Sequence, residues 1–275
     1  MKIIAQLISC VIILVVITSC EKSSFTNNDV CIEQYNIPYR PISSTDIDTS
    51  CLLNISYYPN RDNLPVILWF HGGGLTSGTR ELPAGLLNKG YILVSIGYRL
   101  CPNVKVCECI DDAAAAVSWV YKNIKQWGGN PNKLYLVGHS AGAYLALMVG
   151  LDNRWLDKYI QTNLSPNLTI VAYSGQTISH FQYRKELGYN DPIKHLLADD
   201  FAPLNHINNS MPPMLIICGD REKELYGRYE ENALFVKISL LNENENIAFY
   251  ELKGYNHNEM VVPANTIFLD YLKNN

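Results

Sequence analysis

The chain has 275 residues, 48% of them hydrophobic and 17% charged, with a formal net charge of −4. That length suits one large domain better than two, and the composition is ordinary for a globular chain. No long run of either charge sign occurs, so nothing marks an electrostatic footprint for nucleic acid.

In chain order, the first element is not part of the fold. Lys2 precedes an almost unbroken apolar run from Ile3 to Ile17. A basic start, an apolar centre and small residues after it read as an export signal. The run ends in Ile17-Thr18-Ser19-Cys20, which resembles the bacterial lipobox. The resemblance implies that Cys20 is lipidated and becomes the first mature residue. It also implies an exported lipoprotein, periplasmic or at the cell surface. Several acyl chains would hold it firmly to a membrane, where one would not. Residues 1–19 are therefore set aside as a lipoprotein signal peptide. Residues 20–50, rich in Ser, Thr, Asn and Asp, read as a tether and lead-in, and residues 51–275 as the folded domain.

Six apolar runs follow: Leu64 to Phe70, Tyr91 to Tyr98, Leu134 to Val137, Thr169 to Tyr173, Met214 to Cys218 and Ile247 to Leu252. Short continuous runs rich in Val and Ile are what parallel strands covered on both faces look like. Helical patterns lie between them. Asp111 to Gln126 opens with two acidic residues, as a helix N-terminus favours, and stops at Gly128-Gly129. Ala141 to Val149 is small and apolar, as a buried helix requires. Glu224 to Leu241 and Pro263 to Leu272 supply two more. This alternation predicts an α/β fold: a mostly parallel central sheet with helices on both faces. The polar stretch from Ser174 to Pro213 breaks the rhythm and reads as a short irregular lid segment over the C-terminal ends of the strands. Its His180, His195 and His206 read as surface or lid residues.

Outside the signal, the cysteines are Cys20, Cys31, Cys51, Cys101, Cys107, Cys109 and Cys218. Cys101, Cys107 and Cys109 share one short loop, but the spacing lacks paired CxxC and a nearby His, so no metal site is expected there. A local disulfide or buried thiols fit better. Cys218 reads as core.

Three separated stretches carry chemistry. Gly138-His139-Ser140-Ala141-Gly142 fits G-x-S-x-G between an apolar strand and a small-residue helix, the context this motif requires. Ser140 is the expected nucleophile, presented at a helix N-terminus where free N–H groups favour developing negative charge. His71-Gly72-Gly73-Gly74 directly follows a buried strand. Glycines there are costly unless their N–H groups must face a ligand. The N–H groups of Gly73, Gly74 and Ala141 are the expected oxyanion hole, and His71 a brace for the loop. His257, between the last strand and last helix, is the expected base, in the chain order nucleophile, acid, histidine. The acid should follow the strand ending at Cys218, where Asp220 and Glu222 compete.

These motifs resemble the α/β-hydrolase superfamily, and more narrowly the hormone-sensitive-lipase-like and BD-FAE-type carboxylesterases. Tyr98-Arg99-Leu100, Trp127 to Pro131 and the proline pair Pro212-Pro213 agree with that likeness, which covers about residues 55–273. The family's acid usually stands three residues beyond the strand-end glycine. Counting from Gly219 selects Glu222, with Glu in place of the usual Asp. The resemblance implies serine carboxylesterase chemistry with no metal or organic cofactor, on small or carbohydrate-linked acyl esters. Kynurenine-formamidase-like relatives keep amide cleavage open, as does a peptidase on the same triad. A catalytically inactive binding module is the remaining alternative, against which stands the retention of both Ser140 and His257.

Overall fold

Six of the eight described strands overlap the expected apolar runs, and two precede them. The computed structural model describes residues 30–41, 49–160 and 166–274. The expected signal peptide and Cys20 lie outside them. Eight strands form one sheet: β1 (Ile32–Pro38), β2 (Leu52–Tyr57), β3 (Leu64–Phe70), β4 (Ile92–Ile96), β5 (Gly129–His139), β6 (Leu168–Tyr173), β7 (Met214–Gly219) and β8 (Ile247–Leu252). Their spatial order is β1-β2-β4-β3-β5-β6-β7-β8. β1 and β2 run antiparallel to their neighbours, and all pairs from β4 to β8 are parallel.

The period-two alternation of each strand divides the core into two layers. From β3, Val66, Leu68 and Phe70 face one side, with α1 (Val106–Asn123), α2 (Ala141–Leu151) and Phe235 of α5 (Arg228–Leu241). Ile67 and Trp69 face the other, with Ala264, Phe268 and Leu272 of α6 (Val261–Asn274). Every residue of α2 is buried, because it lies between the sheet and α1, so its apolar surface must run all round. Two further short α-helices among the described residues are α3 (Asn153–Asp157) and α4 (Phe181–Glu186).

Several expectations change. The lead-in is not all tether, since residues 32–38 form an edge strand paired with β2 through contacts such as Ile32 with Tyr57. α1 begins at Val106 rather than Asp111, because Glu108 accepts the Lys105 N–H at 2.9 Å and Glu186 accepts the Val106 N–H at 2.8 Å. These carboxylates satisfy N–H groups that a helix start leaves open. α5 begins at Arg228 rather than Glu224, after Gly227 at φ 69°. That shift releases Glu224 into a turn.

Candidate active site

The strand-to-helix turn after β5 holds Ser140 at φ 56°, ψ −117°, a region a non-glycine residue enters at a cost of about 1–3 kcal/mol. The two motif glycines make that turn sterically possible. A Cβ on Gly138 would stand 2.3 Å from the Gly142 carbonyl carbon, and one on Gly142 would stand 2.0 Å from the Phe70 oxygen. Ser140 is anchored by its N–H, which donates to the Tyr173 carbonyl at 2.8 Å.

The loop after β3 lies against this turn. A Cβ on Gly72 would be 3.4 Å from the Ser140 Cβ. Gly73 and Gly74 take φ of 111° and 63°, and a Cβ on Gly73 would collide with the Ser77 carbonyl at 2.1 Å. The loop curls around the Gly73 carbonyl, which accepts the N–H groups of Thr76 and Ser77 at 3.0 and 3.1 Å. Among the described residues, the N–H groups of Gly73, Gly74 and Ala141 have no internal acceptor, as oxyanion donors require. His71 braces the loop as expected. Its ring stacks on Tyr98 at 4.3 Å, and the Tyr98 hydroxyl donates to the His71 carbonyl at 2.6 Å. Burial lowers the His71 pKa. Arg99 fixes the Tyr98 segment by pairing with the buried Asp112 at 2.8 Å.

The carboxylate beside His257 is not the expected Glu222. Glu222 is exposed, and its N–H donates to Asp220 Oδ1 at 3.0 Å. The carboxylate against His257 is Glu224, whose Oε1 lies 2.5 Å from His257 Nδ1. The reason is the turn geometry. The Glu224 N–H donates to the Asp220 carbonyl at 2.8 Å, which points the side chain back toward the end of β7. There Oε2 accepts the Gly219 N–H at 3.1 Å. Gly219 has to lack a side chain, since a Cβ would sit 2.9 Å from Glu224 Oε2. Asp220 does not face His257. It clamps the two loops together, accepting the Gly254 N–H at 2.7 Å, and backbone donors from Gly254 and Glu222 lower its pKa.

A residue that the sequence reading passed over completes the group. Ser174, fully buried at φ 50° after β6, donates its hydroxyl to Glu224 Oε2 at 2.6 Å and lies 3.1 Å from His257 Nδ1. Burial alone would raise the Glu224 pKa, but the bonds from His257 and Ser174 outweigh it and hold it at about 2. Glu224 is therefore ionised across the physiological range. With Nδ1 committed to Glu224, Nε2 is the His257 nitrogen left for a proton-accepting role. The His257 backbone is tied to the nucleophile turn: His139 Nε2 donates to its carbonyl at 2.9 Å. Burial and the neighbouring His257 lower the His139 pKa to about 4, so His139 is a neutral strut.

The three histidines of the lid segment differ from one another. His195 is exposed. His206 Nε2 bonds the Asp200 carbonyl at 2.9 Å. His180, expected at the surface or lid, is fully buried, stacked on Phe181 at 4.4 Å. The described cysteines are free thiols, with Cys101 and Cys109 sulfurs 3.9 Å apart. Among the described residues, no cluster of three His, Cys, Asp or Glu is placed to hold a metal ion. A cavity of about 880 Å³ opens beside Glu224, walled by Phe181, Ile193, Leu225 and Leu234. Another, of about 590 Å³, lies at the opposite end of the sheet against Pro65, Leu134 and Met214, away from Ser140.

Residues 53–227 match the BD-FAE family model. The chain belongs to the BD-FAE family. The curated relatives of this BD-FAE chain include Carboxylesterase NlhH of Mycobacterium tuberculosis, 36% identical over 100 residues, 34% of this chain and 31% of the relative. Esterase LipC of the same species is 23% identical over 215 residues, 70% of this chain and 52% of the relative. The chain thus spans about half or less of these relatives. Among solved structures, Esterase B from Lactobacillus rhamnosis superposes with a TM-score of 0.70 at 19% identity, covering 89% of this chain and 85% of that one. A truncated carbohydrate esterase from gut microbiota gives 0.70 at 17% identity, covering 90% and 98%. These likenesses show that the BD-FAE chain has the α/β-hydrolase fold.

Proposed function

We propose that the protein is a serine carboxylic-ester hydrolase with Ser140, His257 and Glu224 as its triad. The observation that carries this is the part-buried Glu224–His257 pair at 2.5 Å, tied through His139 to the strained turn that presents Ser140. His257 Nε2 takes the Ser140 hydroxyl proton as Oγ attacks the ester carbonyl. The oxygen that gains charge is received by the N–H groups of Gly73, Gly74 and Ala141, each such donor contributing about 100- to 1000-fold in rate. His257 returns the proton to the leaving alcohol, and Ser140 carries the acyl group. Water then attacks that acyl-enzyme, giving its proton to His257, and the released Ser140 recovers it. Glu224 holds Nδ1 protonated and offsets the charge of the imidazolium.

The substrate class proposed is small or carbohydrate-linked acyl esters. Support comes from the esterase names of the relatives and from the fold likeness to a carbohydrate esterase. Lipid anchoring at Cys20 is proposed from the lipobox resemblance. Bacteria fed a clickable palmitate analogue should then label the wild-type chain and not a Cys20→Ala chain, and an unlabelled wild type would refute it. For the chemistry, turnover of p-nitrophenyl acetate should disappear in Ser140→Ala and His257→Ala variants that keep the wild-type Tm. Turnover unchanged in both would refute the triad.

A further inference from the structure

The cavity beside Glu224 has an apolar wall and an unmatched cation in it. Arg184, on α4, is fully buried at 1% exposure. Its Nη1 donates to the carbonyls of His195 and Ile193, and its Nε has no partner. Among the described residues, no carboxylate lies within ion-pair distance of it. The carboxylate that acts on it from nearby is Glu231, and that group is already used on both oxygens. Glu231 Oε1 accepts from Arg228 Nε at 2.8 Å, and Oε2 accepts the N–H groups of Thr177 and Ile178 at 3.0 and 3.2 Å. Arg228 in turn donates to the Ser174 carbonyl, so this pair supports the catalytic carboxylate. Two buried guanidinium groups therefore face one carboxylate. Burial lowers the Arg184 pKa and Arg228 lowers it further, against the opposing pull of Glu231. His180 adds no charge, since burial holds its pKa well below the usual histidine range.

The other cations on the cavity wall have partners. Lys194 pairs with Asp191 at 3.1 Å and Arg221 with Glu251 at 2.6 Å. Glu230 is exposed at the rim. Burying a charge without an opposite charge is costly. An anion taken up at this wall would balance the cluster through charge-assisted bonds to the guanidinium. The location also suits a substrate. Phe181 and Arg184 share one face of α4, being three residues apart. The Phe181 Cζ lies 3.0 Å from where a Cβ on Gly74 would stand. Arg184 is thus about one helical turn, roughly 5 Å along the axis, from the residue that touches the oxyanion loop.

We infer that this cavity reads the substrate, and that the preferred ester carries an apolar body ending in a carboxylate, which Arg184 binds. The inference rests on the esterase reading and names its substrate class. Two matched series test it. One varies the acyl side, as p-nitrophenyl half-esters of C4 to C8 dicarboxylic acids against the same esters with the free carboxylate replaced by a carboxamide. The other varies the alcohol side, as 4-acetoxybenzoate against 4-acetoxybenzamide. In one series, kcat/KM should favour the carboxylate member by about ten- to hundredfold at low salt, the range of a hydrogen bond to a charged group. Arg184→Gln should bring that ratio near one, and Arg184→Lys should restore part of it. A wild-type ratio near one in both series overturns the inference. So does a ratio that survives in Arg184→Gln, or one left unmoved while both members slow equally, which would make Arg184 only a brace for the lid segment. Should Arg184→Gln fail to fold, the wild-type ratios decide. A wild-type Tm raised by adipate and not by adipamide is expected even if neither ester turns over. Absence of all turnover with that Tm shift present would sink the esterase reading alone, and absence of the shift would sink the anion site.

Discussion

Replacing Glu224 by Gln keeps the size of the side chain and removes its charge. The side chain is 1% exposed, and its Oε1 lies 2.5 Å from His257 Nδ1. When His257 takes the Ser140 proton, the carboxylate faces an imidazolium. At an effective dielectric of about 20, unit charges 4 Å apart attract by about 4 kcal/mol, which corresponds to roughly a thousandfold in rate. Loss of the correct tautomer adds to this, and triad acids replaced by amides lose about 10⁴ in kcat. Glu224→Gln should therefore lower kcat on p-nitrophenyl acetate by about 10³ to 10⁴. KM should stay within a few fold, because the acid does not touch the substrate. Glu222→Gln, at an exposed position, should stay within about twofold of wild type. The assay is steady-state kinetics on both variants with Tm matched. A large loss in Glu222→Gln beside an active Glu224→Gln would refute the assignment.

Three further outcomes are expected. Ser174→Ala removes one donor to Glu224, so kcat should fall by about tenfold, the worth of one hydrogen bond to a charged group, and the Glu224 pKa should rise. The check is an NMR titration of the carboxyl, and an unmoved pKa would contradict it. The pKa of Glu224 is depressed from 4.5 to about 2 in the folded protein. Its contribution, about 3 kcal/mol, is therefore present above pH 4.5 and lost as pH falls through about 2. Urea unfolding between pH 5 and pH 3 should show a steeper loss for wild type than for Glu224→Gln, and equal slopes would refute the linkage. Gly73→Ala puts a Cβ 2.1 Å from the Ser77 carbonyl at a φ of 111°, so kcat should drop at least 100-fold; rates near wild type would show that the loop does not form the oxyanion hole.

Much of this site was legible because its parts are local. The Gly138 to Gly142 turn and the His71 to Gly74 loop each carry their glycine pattern within a few residues and follow an apolar run, whereas their long-range contacts with Tyr173, Phe70 and Tyr98 leave no mark in the sequence. β3 and β8 have the limits read from their apolar runs. β1 was not legible: most of its residues are exposed, so no periodic signal marks it, and only pairing with β2 makes it a strand. The count of three residues beyond Gly219 reaches Glu222 and stops short of Glu224, which the expected helix from Glu224 to Leu241 hides. The turn that ends at Gly227 instead carries Glu224 back under Gly219, a long-range result of β7 and the His257 loop meeting. Gly227, as a punctuating glycine before a periodic run, was the available signal for the later helix start. Ser174 offered no pattern, since a lone serine after a strand gains meaning only from the carboxylate beside it.

The central claim, that the Ser140 hydroxyl is the activated nucleophile, is tested most directly by mapping the adduct of a fluorophosphonate by peptide mass spectrometry. The expected result is a single phosphonylated site at Ser140, formed quickly in wild type and at least 1000-fold more slowly in Glu224→Gln. Labelling on another residue, or none on the folded protein, would contradict the account.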